Sequence, residues 1–150
     1  MCIPPATSIK YFEDTVLGDK IDAVGYGPLT LVDTVRWAGI QENPERVHWD
    51  REFAREHAKL PTFIASGSYR QALLVRTLTD WIGPLGKLRK LKLRHTAPTH
   101  EGDMMHFSAV VSGKSPTAAD PWIECDVEGH NQHNKPIMAG SCVIVLSLRE

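Results

Sequence analysis

The chain has 150 residues, a formal net charge of -1 and 23% charged residues. That length suits one domain, with a core large enough to fold without metal or disulfide staples, so a single unit spanning 1–150 is expected. The near-neutral balance and dispersed basic residues leave no electrostatic footprint for nucleic acid or an anionic membrane surface.

In chain order, Met1-Cys2-Ile3-Pro4-Pro5 comes first and lacks the basic start and long apolar core of a signal peptide. The later apolar runs are too short or interrupted to cross a bilayer, so a cytoplasmic protein with no membrane partner is expected. After a polar, Pro-rich lead, Leu31, Val35, Trp37 and Ala38 within 30–39 fit either a short strand or a helix. From Asp50 the pattern predicts a helix: the carboxylate caps it, Glu52 lies in its first turn, Phe53, Ala54 and Ala58 form one apolar face, and Pro61 ends it. A longer run from Gly67 to Ile82 is apolar around much of its circumference, which predicts a helix buried on several sides. Gly83-Pro84 and Gly86 stop it.

The period then changes. Leu91, Leu93 and His95 alternate with Lys90, Lys92 and Arg94; Met105 to Val111 and Ile123 to Val127 alternate likewise, predicting half-buried strands. The last run, Ile137 to Leu148, is almost continuously apolar, as for a strand covered on both faces. Cys2, Cys125 and Cys142 form neither an even framework nor a close pair, and buried free thiols are expected. A buried helix followed by a meander of strands predicts an α+β fold with an antiparallel sheet wrapped around the helix.

Tyr11-Phe12-Glu13-Asp14, Gly18-Asp19, the segment Asn43-Pro44-Glu45-Arg46-Val47-His48-Trp49-Asp50, Ser66-Gly67, Pro98 and Gly102-Asp103 follow one another in a characteristic order. Together they resemble the MaoC-like acyl-CoA dehydratase/hydratase family over nearly the whole chain. The resemblance implies the hot-dog fold, a homodimer or a pairing with a second MaoC-like chain, and an acyl-CoA thioester as substrate with no cofactor. Most of that family carries an Asp-x-Asn-Pro-Ile/Leu-His loop, whose aspartate lies five residues before the histidine. Here that position is Asn43. The loop is similar instead to a subgroup with Asn-x-x-Arg-Ile-His-Tyr-Asp, which includes mesaconyl-CoA-type hydratases and mitochondrial 3-hydroxyacyl-thioester dehydratases.

Adding water to a 2-enoyl thioester requires a base for the water, a proton for the α-carbon and fixed donors for charge on the thioester oxygen. His48 is the expected proton carrier, because imidazoles accept and donate protons near neutral pH. An amide cannot take a proton as a carboxylate does, so Asn43 would orient water or thioester; as an Asx-turn residue before Pro44 it also has a purely structural reading. Glu42 and Glu45 read as solvated charges. The resemblance gives Gly67 the oxyanion role, consistent with its place at a helix start, where backbone N–H groups lack partners and a side chain is missing. Its neighbours Ser66 and Ser68 are candidates for hydrogen bonds to substrate. Arg46 would either brace the loop or meet a carboxylate on a dicarboxylic acyl group. Arg94, within the basic run from Lys87, occupies the place of a basic residue common in the family and would face the CoA phosphates. Trp49 reads as packing and Asp50 as a cap.

His130 and His133 stand in a turn with no further ligand at metal spacing, so no metal site is expected. No phosphate loop, nucleophile elbow or dinucleotide fingerprint occurs. The chain therefore reads as an enoyl-CoA hydratase/dehydratase. The alternatives are an acyl-CoA thioesterase, which a carboxylate on the buried helix would favour where Gln71 and Arg76 stand, or a noncatalytic acyl-CoA-binding subunit.

Overall fold

Ser66 sets the start of the central helix. Its backbone is extended and its hydroxyl accepts the Tyr69 N–H, capping α3 (Gly67–Ile82), which ends at Gly83. The computed structural model describes residues 9–149; Cys2 and the Met1–Pro5 segment lie outside the described residues.

Before α3 come β1 (Lys20–Tyr26), α1 (Leu31–Ile40), a single 3-10 turn (Arg46–His48) and α2 (Arg51–Glu56). After it come β2 (Lys87–His95), β3 (Met105–Lys114), β4 (Trp122–Asn131) and β5 (Pro136–Val145). The strands form one antiparallel sheet in the order β1-β3-β4-β5-β2, with β1 and β2 at its edges. Leu74, Leu78 and Ile82 of α3 lie on one buried stripe and pack with Met105, Phe107, Ile123, Met138 and Ile144 from the inner face of the sheet. This is the α+β hot-dog arrangement, a sheet curled around one long helix.

The structure settles the open segment at 30–39 as helix. Thr30 and Asp33 form a capping box, each side chain serving the other's backbone N–H. Several sequence expectations are corrected. β1 was not foreseen: Asp22, Ala23 and Gly25 interrupt its apolar alternation, and its register with β3 shifts between Ile21 and Val24. Helix α2 stops at Glu56, well before Pro61, and Ala58 is exposed beyond it. β5 is not covered by a second layer; its buried residues alternate with half-exposed ones such as Val143 and Val145, shielded by neighbouring strands. As expected, Cys125 and Cys142 are buried free thiols; distant in sequence, they face each other across β4 and β5. A hydrogen bond to Cys142, and then burial, push the Cys125 thiol far above its ordinary range. No helix among the described residues is long and apolar enough to cross a membrane.

Candidate active site

The loop after α1 is folded by its own polar groups. Asn43 donates its backbone N–H to Ala38 O, and its side-chain Oδ1 accepts the Glu45 N–H at 3.0 Å. This is the Asx turn that Asn before Pro favours. Asn43 Oδ1 is therefore engaged, while Nδ2 has no partner among the described residues. The following turn, Arg46–His48, leads into α2, where Asp50 Oδ1 accepts the Phe53 N–H. Asp50 Oδ2 holds Arg46 through Nε at 3.0 Å and Nη2 at 2.6 Å, and the guanidinium lies over the Phe53 ring. The Phe53 N–H first, then Arg46, keep the Asp50 carboxyl below its usual range.

His48 is clamped to the strand-like segment before α3. Ile64 N–H donates to Val47 O, and His48 Nδ1 lies 2.9 Å from Ile64 O. A carbonyl only accepts, so Nδ1 is the donor here, and in the neutral ring Nε2 is then the nitrogen with the lone pair. Ile64 is itself fixed by a bridge to His100, and Ala65 by a bond to Thr99 O. His48 and Asn43 line one narrow crevice with Thr34, Trp37, Ala38, Ser66 and Tyr69.

At the start of α3 the Gly67 and Ser68 amides have no hydrogen-bond partner among the described residues, as the first turn of any helix requires. The hydroxyls nearby are committed. Ser68 Oγ donates to Gln41 Oε1 and accepts from Trp37 Nε1 at 3.0 Å, and Ser66 Oγ bonds Ser68 Oγ at 3.1 Å while capping Tyr69. Ser66 and Ser68 thus tie α1 to the start of α3. On the other side of Gly67 stands His95, at the end of β2: a Cβ at position 67 would lie 3.0 Å from its Nε2. Burial of this edge first, and Arg70 second, hold the His95 imidazole below its ordinary range. Arg70 is only 6% exposed, donates to Ala97 O at 2.6 Å, and has no carboxylate partner among the described residues.

Arg94 is exposed on the edge strand β2, beside His95, with Lys87, Lys90 and Lys92 also exposed. Arg89 is paired with Asp120. His130 lies in β4 and His133 in the turn after it. The structure thus brings His48, Asn43 and Ser66 into one crevice beside the free amides of Gly67 and Ser68, and leaves Arg94 outside it. Thr34, Trp37, Gln41, Tyr69 and His95 were missed from the sequence. The Thr-x-x-Asp capping box at Thr30 would have revealed the first two, since it fixes α1 as helix and puts Thr34, Trp37 and Ala38 on one face.

Residues 13–127 match the family described as MaoC like domain. The chain belongs to the MaoC-like domain family. Its fold is shared with the R-hydratase PhaJ1 of Pseudomonas aeruginosa, unliganded, at TM-score 0.83 and 21% identity over 93% of this chain and 86% of that one. It is also shared with a MaoC-like dehydratase from Rhodospirillum rubrum, at TM-score 0.80 and 24% identity over 94% and 99%. A chain of the ChsH1-ChsH2 complex from Mycobacterium tuberculosis aligns at TM-score 0.78 and 22% identity over 88% and 98%. No curated protein matches the chain.

Proposed function

We propose that this MaoC-like chain hydrates and dehydrates 2-enoyl-CoA thioesters. The observation that carries the reading is the His48 tautomer: the bond from Nδ1 to Ile64 O leaves Nε2 as a basic lone pair in a crevice shared with Asn43 and Ser66. In this mechanism the thioester oxygen accepts the Gly67 and Ser68 amides, where the helix start favours negative charge. Asn43 Nδ2 donates to the attacking water. As the water oxygen bonds to C3, the C2=C3 electron pair moves to the thioester oxygen and His48 Nε2 takes the water proton. The imidazolium then returns that proton to C2 as the enolate collapses. Dehydration runs the same steps backward. Arg46, held by Asp50 and stacked on Phe53, braces the loop, and Arg94 with its lysine neighbours is the candidate surface for CoA phosphates.

Asn43 also supports a second reading, in which the chain binds acyl-CoA without turning it over and assembles with a second, catalytic MaoC-like chain. A thioesterase has less support: the one carboxylate on α3 is Asp80, at its far end and paired with Arg76. The deciding experiment supplies purified protein with a panel of enoyl-CoAs and saturated acyl-CoAs while following hydration and free CoA release. Hydration by the protein alone supports the hydratase; CoA release would replace it with a thioesterase; binding without either would leave the subunit reading.

A further inference from the structure

His95 ends β2 at the edge of the sheet, and neither of its ring nitrogens is hydrogen-bonded among the described residues. The ring is turned so that one corner leads toward the start of α3. A Cβ built on Gly67 would lie 3.0 Å from His95 Nε2, 3.4 Å from Cδ2 and 3.6 Å from Cε1. Nε2 is thus the nearest atom, and it points into the space that glycine leaves empty. In a helix the Cα–Cβ direction and the backbone N–H both lean toward the N-terminus. An oxygen that accepts the Gly67 N–H therefore comes to lie beside His95 Nε2.

We propose that the Nε2–H of His95 is a third donor to the thioester oxygen, beside the Gly67 and Ser68 amides, a deduction that rests on the acyl-thioester reading above. Two of these donors are fixed backbone groups, and the third is a side chain that only glycine at 67 admits. Partial burial and the charge of Arg70 both oppose a second proton on the ring. Arg70 is itself buried in the first turns of α3, bonded to the Ala97 carbonyl and paired with no carboxylate among the described residues, so its charge is not cancelled there. A neutral imidazole beside a helix start can polarise a carbonyl in this way. Its bond strengthens as charge develops on the oxygen, which lowers the barrier more than it tightens the ground state. No proton leaves His95: His48 Nε2 carries the transfers, and His95 stabilises the enolate that forms between them.

The test combines two readouts, one of which requires no turnover. Butanoyl-CoA, a saturated thioester with no double bond to hydrate, is isotope-labelled at its carbonyl and followed by difference infrared spectroscopy. Binding to the wild type should lower the carbonyl stretching frequency. In His95→Phe, which keeps a ring but no donor, the band should move back toward that of the free thioester. In hydration of crotonyl-CoA the same variant should lose about tenfold to a hundredfold in kcat with KM nearly unchanged, the mark of a donor that acts in the transition state. His95→Gln offers an amide N–H from the same strand position and should recover part of both effects, with folding of each variant checked by thermal melts. A band and a kcat that are the same in His95→Phe as in the wild type would overturn the assignment, and so would a wild-type band that binding leaves unshifted. Crotonyl-CoA hydration at a rate indifferent to both variants would sink the donor alone. A band that responds to His95 in a protein that hydrates no enoyl-CoA would keep the donor and reject the reaction.

Discussion

The Nε2 edge of His95 occupies the space that a side chain on Gly67 would fill: the closest approach of a Cβ there would be 3.0 Å. Glycine at 67 therefore leaves the first amides of α3 open on one side and admits an imidazole on the other. Gly67→Val should block thioester approach and push His95 aside, lowering the hydration rate by about a hundredfold, the scale of a lost oxyanion donor. The double variant Gly67→Ala with His95→Ala removes the steric conflict and should melt above Gly67→Ala alone. A rate loss in Gly67→Val matched entirely by lost folding would reduce Gly67 to a turn residue.

His48→Ala removes the group that takes the water proton in the proposed mechanism. Turnover should fall by roughly two to four orders of magnitude. The fold loses the bond to Ile64 O, about 1 kcal/mol, so circular dichroism should still show a folded chain. Near-normal activity in this variant would mean that the proton moves elsewhere.

The Asx turn of Asn43 and the water-orienting amide of the proposed mechanism can be separated by substitution. Asn43→Ala deletes both the Asx-turn acceptor and the free amide, and should cost about tenfold to a thousandfold in rate. Asn43→Asp keeps an oxygen for the Glu45 N–H but loses the amide donor, so it should retain the loop while its rate falls as in Asn43→Ala. Glu42→Gln and Glu45→Gln should stay active. Steady-state hydration by all four variants decides this, and a dead glutamine variant beside an active Asn43→Ala would name a different residue.

His95 makes stability depend on pH. Its folded pKa lies below the ordinary value, so the fold resists its protonation. Above the unfolded value, about pH 6.5, the imidazole is neutral in both states and its contribution is complete; as pH falls through the lower folded value the contribution is lost. Melting temperature should therefore drop more on acidification from about pH 7.5 to about pH 5.5 in the wild type than in His95→Gln. Equal drops in the two proteins would remove His95 from the account.

The central helix, the strands after it and the Asp50 cap were legible because each has a strong local signal, whether a buried stripe, an alternation or a capping carboxylate. β1 was not, since its pairing with β3 outweighs a sequence that carries Asp22 and Gly25 in the strand. The loop was legible as a motif, but the commitment of the Ser68 hydroxyl was not: its partners Trp37 and Gln41 lie on α1 and at its C-cap, an element whose type the apolar period alone left undecided. His95 was readable as a strand residue, yet its contact with Gly67 depends on how β2 crosses the start of α3. The pairing of Cys125 with Cys142 likewise follows from strand register, which spacing along the chain does not reveal.

The order Asn43-Pro44 has a chemical consequence for the age of a protein sample. Asparagine side chains hydrolyse over time mainly when the next backbone nitrogen attacks the amide carbon and closes a cyclic imide. The nitrogen after Asn43 belongs to Pro44 and bears no hydrogen, so that ring closure is blocked. The Asx turn adds a second restraint by holding Oδ1 on the Glu45 N–H. A stored preparation should not drift toward a carboxylate at this position, and peptide mass spectrometry of aged protein should find the amide intact while exposed asparagines such as Asn134 accumulate the added mass of deamidation.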